Sequence, residues 1–558
     1  MFVRSPSSQA RFALFALLFV SVPCALGAQR VIGGGDDAVT LPRGGFRVSL
    51  GGEHTAQRDR WRDGRLEGLG GSMTSSAFGP LQFSMLGPVE QTVRALGVTG
   101  FDARLGVSTL DARQRLFVTP LTVEYGLTDR ITLGARASLV RSKIEAQFRI
   151  RGDSGRATLG INPIIAGSAV AANNLTAIGA YSTAATNLGV RLTACQGNGG
   201  AAPQCPTILA EAASVAALIA RTSAFANGLT SLYGAGLIAG RRFVPLAGSA
   251  ADSALRARAD SMRVAFERYG ITNVTTSTGL PLGAQVPVSG EDIGRLFADS
   301  VEGYGAKRVS DGSLIELGDV HLSAKLRIFD SFGATAPTRF ASSLRGIRQS
   351  VLVDVRLGTS QRERPDAFLD LGTGTGTGAF AVRSLTDLVL NDRFWTTLSV
   401  GYSLAAAEDL TLRIPSDTGS GFLESWRETT VAVTPAAQLD VSIAPRWHLN
   451  DYIALGALWQ WRGKSADRHD IDSTATTPFG ATVPLLGSIL DDASRASEQR
   501  FGWTATYSTL ASRARGRPGM AFEINYSHQQ SYSSGTGVVP KQWEDRLQLR
   551  YYTRFLGR

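Results

Sequence analysis

The residues that could carry chemistry in this 558-residue chain are few, and their spacing points to faces of strands before it points to catalysis. His321 stands two positions after Asp319, so in an extended strand both side chains share one face. His528 directly follows Ser527 and therefore points away from it. His54 and His469 fall in connections, and His448 falls in a turn. A Ser-His-Asp relay needs three groups in mutual contact. No spacing here marks one, so no catalytic residue is assigned and no enzyme activity is expected. Cys195 and Cys205 frame the stretch CQGNGGAAPQC. A metal site would need further ligands nearby and none is there; in an exported protein, two cysteines so placed predict a disulfide. The run LGTGTGTGAF at 371–380 has the glycines of a phosphate loop but lacks its lysine, and no helix is predicted after it to supply amide donors. It reads as flexible backbone at the mouth of a strand. Neither a metal nor a cofactor is expected.

The remaining chemistry is ionic, and it alternates. Val320, Leu322, Ala324, Leu326 and Ile328 lie on one face of a strand; Asp319, His321, Ser323, Lys325 and Arg327 lie on the other. Glu124, Arg136, Asp354 and Arg356 hold the same polar parity in their own segments. Stepping along 116–140 shows two such runs joined by Leu127-Thr128-Asp129, each about the length that crosses a bilayer as a tilted strand. The pattern recurs at 45–51, 115–125, 130–141, 318–329, 347–358, 379–390, 393–404, 431–446, 451–462, 500–511, 518–528 and 543–555, about twelve strands. Their connections alternate in length. The exits at 127–129, 391–392, 448–450 and 512–517 are short and the one at 330–346 is intermediate; those at 52–114, 142–317, 359–378, 405–430, 463–499 and 529–542 are longer. Unequal rims are expected when one faces the periplasm and the other the outside. Aromatic residues gather near both rims: Tyr125, Phe394, Trp447 and Phe555 at the short turns, Tyr402, Trp459, Trp503 and Trp543 at the long loops. The fold class predicted is all-β, a transmembrane antiparallel barrel. Pro120 and Pro435 fall inside strands and predict bulges or shifted boundaries, because proline removes a ladder donor.

The flanking segments fit an exported protein. Arg4 and Arg11 precede the apolar run Phe12–Val22 and then small residues, the pattern of a signal peptide over 1–28. No run of about twenty apolar residues is present, so no membrane helix is expected. Residues 29–141 form the N-terminal part of the barrel with its first long loop, and 318–558 the rest. Between them, 142–317 is a helical insert holding the cysteine pair, with helices over 209–233, 250–269 and 291–301. A structureless loop of that length would be unusual. The net charge of +10 points to anionic partners. For an exported barrel these are lipopolysaccharide phosphates or an anionic solute; no nucleic-acid motif is present.

Four stretches carry a resemblance: VEYGLTDRITLGARASLV (123–140), GDVHLSAKLRI (318–328), FLDLGTGTGTGAFAV (368–382) and DRFWTTLSVGYSLA (392–405). They resemble outer-membrane barrels assigned to transport in the meta-pathway of phenol degradation, distant relatives of fatty-acid and aromatic-hydrocarbon channels. The resemblance implies passive uptake of a small, hydrophobic or aromatic solute across the outer membrane. The chain departs from the family in its large insert and in lacking a long N-terminal plug. The final strand, RLQLRYYTRF, resembles the signal read by the barrel-assembly machinery, a further expected partner. Glu124, Arg136, Asp319, His321, Lys325, Arg327, Asp354 and Arg356 are the expected pore-lining residues. The alternative is a plugged barrel that displays the insert to a partner.

Overall fold

The computed structural model describes residues 36–553, apart from 153–154, 167, 198–201, 235–241, 275–282, 301–302, 308, 333–344, 367–371, 392, 416–422, 472, 478–481 and 515–516. The expected signal peptide and Phe555 lie outside the described residues. Twelve antiparallel strands close into a barrel. In chain order they are β1 (Phe46–Arg62), β2 (Val107–Thr128), β3 (Ile131–Arg151), β4 (Val320–Asp330), β5 (Gly346–Leu357), β6 (Ala379–Val389), β7 (Phe394–Ala405), β8 (Gln438–His448), β9 (Ile453–Lys464) and β10 (Ala496–Ser508). The ribbon Ala521–Thr553 supplies the last two. Its first part pairs with β10 up to Gly537, and its second pairs with β1 from Val538 onward. Tyr526 and His528 both reach Asp545, so the ribbon folds back on itself. We call its halves β11 (521–537) and β12 (538–553). β1 pairs with both β12 and β2, which closes the wall.

All twelve expected strands are present, and the differences lie at their ends. β1, β2 and β3 run well beyond the membrane-length segments read from alternation. The last long loop, 529–542, is instead a continuation of β11 and β12 around a tight turn, where Gly537 takes a φ of +75° that other residues rarely adopt. Pro435 lies between Glu428–Thr434, which belongs to a separate small sheet, and the start of β8 at Gln438. It therefore marks a boundary. Pro120 stays inside β2 and pairs with Ser138 without a shift. The irregularity falls on its other side, where the β1–β2 ladder skips from Leu50↔Leu121 to Glu53↔Val118. Pro445, not noticed in the sequence, leaves a similar gap between Ile443↔Trp459 and Arg446↔Gly456.

Outward positions of the wall are apolar and exposed, including Leu50, Leu121, Leu139, Leu322, Val400 and Leu547. Inward neighbours such as Ser49, Arg136, Ser350, Arg462 and Arg550 are buried polar groups. A soluble fold would invert this arrangement. The apolar face belongs to lipid, and the barrel is of the outer-membrane type.

The extracellular loops build a second core. Helices α1 (Leu86–Ala95), α2 (Ser168–Gly197), α3 (Cys205–Ala210), α4 (Ala212–Tyr233), α5 (Ala250–Arg268) and α6 (Gly290–Ala298) pack over the inward faces of the β2 and β3 extensions. Phe78 and Phe83 from the first loop join Phe243, Phe297 and Tyr304 from the insert, with Phe83 and Tyr304 rings 4.9 Å apart. The first long loop is thus part of the cap. Cys195 and Cys205 are bonded across the α2–α3 junction, as expected. Helices α4, α5 and α6 match the sequence reading. The longest, α2, had no counterpart in it. Its Asn, Thr and Gly content is poor for a helix, and packing decides the matter: Tyr181, Ala184, Ala185 and Leu188 are buried in the same core as Phe225 and Leu229 of α4.

Three phenols of the cap, Tyr181, Tyr233 and Tyr304, are buried. Burial pushes Tyr181 up to about 12 and raises Tyr233 and Tyr304 as well. Neutral phenols are therefore favoured by the fold. Their contribution is whole below the unfolded pKa of about 10; that of Tyr181 is lost as pH rises through about 12, and those of Tyr233 and Tyr304 persist further. Near-ultraviolet dichroism from the cap should collapse over that interval while the far-ultraviolet β signal of the barrel persists. Phenol ionisation at an ordinary midpoint in the folded protein would contradict this burial.

Candidate functional site

The interior of the barrel divides into a packed side and an open side. On the packed side, β1, β2, β10, β11 and β12 face one another through ion pairs. Arg47 holds Glu124. Glu53 lies 3.3 Å from Arg546 and 3.7 Å from Arg136. Arg500 donates to both oxygens of Glu498, at 2.7 and 3.0 Å. Charges this buried persist only when paired, because desolvation costs several kcal/mol per ion.

The open side is a cavity of about 220 Å³. Its lining comes mainly from β3 to β9, and none of the described cap residues takes part. Of the eight expected pore residues, Glu124, Arg136, Asp319, His321, Lys325, Asp354 and Arg356 border it. Arg327 does not. It lies lower, where it donates to Asp330 at 3.2 Å, a carboxylate that also accepts from Arg348 at 2.9 Å. Alternation alone gave its face correctly but not its depth.

Several neighbours fix the cavity's character. His321 Nδ1 is 2.8 Å from Asp354. Asp440 accepts from Arg462 at 2.9 Å and from Gln438 at 2.7 Å. Arg383 borders the cavity and makes no hydrogen bond or ion pair with any described residue. It lies over Gly401 of the next strand, where an added Cβ would come 3.0 Å from its Nε. The lining holds the cations Arg136, Lys325, Arg356, Arg383, Arg462, Lys464 and Arg550, against Asp36, Glu124, Asp319, Asp354 and Asp440. Positive charge is in excess.

The glycine-threonine run is neither a phosphate cradle nor loose backbone. Asp319 accepts from the amides of Ser360 (3.0 Å) and Thr375 (3.1 Å) and from the Thr375 hydroxyl (3.2 Å). Thr373, Gly374 and Thr375 are thereby held against the extracellular mouth and line the cavity. Gly374 has no room for a side chain, since a Cβ would lie 2.7 Å from Asp319 Oδ2.

The floor was not foreseen. Residues 36–44 enter the bore from the periplasmic rim. Ala38 N–H donates to Asp387 at 3.1 Å, Lys325 Nζ donates to the Asp37 carbonyl at 3.0 Å, and Leu41 N–H donates to Thr132 Oγ1 at 2.8 Å. Ala38 and Leu41 are buried. At the rim the strap passes over Gly126, where a Cβ would stand 2.1 Å from the Pro42 carbonyl. The sequence signal was slight: a short stretch after the expected leader, with no periodicity of its own.

Elsewhere, His528 and Tyr526 meet Asp545 on the outside of the wall, at 2.8 and 2.6 Å. His469 meets Asp491 at 2.7 Å in an extracellular loop.

These features define an outer-membrane β-barrel with a small polar cavity, a tethered mouth and a floor made from its own N-terminal segment. No family model matches the chain, and no curated protein matches it. Among solved structures it is similar to the COG4313 outer membrane channel from Pseudomonas putida F1, at 10% identity over 94% of this chain and 100% of that one, with a TM-score of 0.41. It is also similar to a Pseudomonas aeruginosa FadL homologue, at 7% identity over 92% and 90% of the two chains (TM-score 0.26). The Pseudomonas putida toluene transporter TodX gives 8% identity over 92% and 89% (TM-score 0.26).

Asp319 is predicted to hold the mouth. Charge-assisted hydrogen bonds contribute about 1.5–3 kcal/mol each, so Asp319→Ala should speed amide exchange at Ser360 and Thr375 by about ten- to a hundredfold. Exchange in the middle of β5 and β6 should not change.

Proposed function

We propose that the chain is an outer-membrane channel for passive entry of a small solute. The observation that carries this reading is a cavity with a removable floor. The cavity opens among extracellular strand ends and stops at a strap that only non-covalent contacts hold to the wall, among them hydrogen bonds to Asp387, Lys325, Ser350, Thr132 and Asp129. A barrel meant only to be stable has no need of a charged cavity. Lumenal charge of both signs selects polar or charged solutes in narrow pores. The excess of cations favours a solute carrying an anionic group, so the hydrophobic or aromatic solute implied by the resemblance fits best as an aromatic body with an acidic group. Lipid and lipopolysaccharide around the wall, and the barrel-assembly machinery during insertion, belong to the same reading.

The second reading, a closed barrel that presents the insert to a partner, draws on the cap's separate core. Described cap residues contribute nothing to the cavity lining. Truncation separates the two. In planar bilayers the mature protein should conduct weakly, and removal of residues up to 44 should raise conductance several-fold. Deletion of the cap should do much less. If both truncated forms stay silent while migrating as folded, heat-modifiable barrels, display replaces transport.

The unpaired guanidinium gives a second measurement. One unit charge at about 6 Å in a water-like dielectric changes an ion's energy by about 0.7 kcal/mol. The anion loses that attraction and the cation loses the equal repulsion, so in the strap-truncated form Arg383→Ala should lower the anion-to-cation permeability ratio about tenfold, read as a shift in reversal potential.

A further inference from the structure

The outer wall is charged on one side only. From β4 through β10, no outward-facing position among the described residues holds Asp, Glu, Lys or Arg. The charged outward positions belong to β1, β2, β3 and β12, and the cations concentrate on the neighbouring pair β2 and β3. There Arg115 stands opposite Lys143, Phe117 opposite Arg141 and Arg113 opposite Glu145. Their height is set by what lies below. Phe117 and Leu139, exposed to 47% and 49%, end the lipid-facing run on these strands. Arg141 follows Leu139 by one pleat, a rise of about 7 Å, and Lys143 by two. Across the seam, Arg115 pairs with Ala56 and Ala56 with Trp543, a residue type enriched at the level where hydrocarbon meets headgroup.

Charge balance within the cluster is poor. Among the described residues, Glu145 is the one carboxylate that pairs with these four cations; the neighbouring Asp311 accepts from the Ala146 N–H at 2.9 Å instead. Glu145 lies 2.7 Å from Lys143 and 3.6 Å from Arg115. Arg113 and Arg141 make no hydrogen bond or ion pair with any described residue. Asp111, the next outward residue on β2, is engaged by Arg58 at 3.4 Å. Exposed guanidinium groups at headgroup depth, over an apolar wall, match a ligand with phosphates above and acyl chains below.

We propose that the β2–β3 outer face is a binding site for the phosphates of an outer-leaflet glycolipid of the lipopolysaccharide type. Arg115, Arg141 and Lys143 form its centre and Arg113 its upper edge. The acyl chains lie along Phe117, Leu121 and Leu139. The site rests on the membrane reading of the wall and is independent of transport.

The test uses the mature full chain in detergent, titrated with lipopolysaccharide and followed by native mass spectrometry. One variant carries Arg115→Gln, Arg141→Gln and Lys143→Gln. A control carries Arg221→Gln, Arg295→Gln and Arg468→Gln, three exposed cations of the cap and loops. Each cation near an anionic surface contributes on the order of a fivefold gain in binding, so the first variant should lose affinity by about a hundredfold. The control should bind as the parent does, and both should keep heat-modifiable migration. Parent binding should weaken with salt and with dephosphorylated lipopolysaccharide. The proposal is overturned if the first variant binds like the parent, if the control loses as much, or if the dephosphorylated form binds equally well. Equal binding of phosphatidylglycerol vesicles by parent and first variant, alongside unequal binding of lipopolysaccharide, supports a glycolipid site over general anion attraction.

Discussion

In hydrocarbon, every backbone N–H and C=O must find a partner within the protein. That requirement shapes this chain more than any side chain does. It forces the sheet to close, and the closure is made by β1, which pairs with the last strand on one side and the second on the other. Where the ladder is interrupted, the sequence shows why. Pro120 has no N–H to donate, and Gly51 opposite leaves room for its ring. The rest of the wall keeps its register with few shifts, so inward and outward faces alternate almost without error.

Once the wall is closed, its polar face must be accommodated inside. The chain does this in two ways. Towards β1, β2 and β10 to β12, oppositely charged side chains neutralise one another and fill the space. Towards β3 to β9 some also pair, as Asp440 does with Arg462, but they do not fill the space and a cavity remains. The same alternation produces both regions; side-chain length and the sign of the facing charge decide which appears. Glu53 between Arg136 and Arg546 closes space, whereas Arg383 over Gly401 leaves it open.

The extracellular loops are under a different constraint, since water satisfies their backbone. They fold as small soluble cores. One unites the first loop with the insert over the β2–β3 extension. The other joins Glu408–Arg413, Glu428–Thr434 and Arg468–Asp470 around Ile414, Val431 and Val433. Arg413 ties the two together, donating to the carbonyls of Tyr304 (2.8 Å) and Gly305 (2.9 Å).

Strand number, membrane class and the faces of the charged residues were legible in the sequence, because period-two alternation is local and lipid enforces it on every strand. The disulfide was legible because its cysteines are close in sequence and the expected leader exports the chain. Other features were not. The length of β1 to β3 beyond the membrane depends on cap packing, and α2 exists because Tyr181 and Leu188 find partners on α4. The depth of Arg327 depends on strand stagger. The floor depends on Ala38 meeting Asp387, residues 349 apart. Alternation assigns a side chain to a face from its immediate neighbours; height in the bore, pairing across it and contact with a distant segment are set only when the wall closes and brings remote residues together.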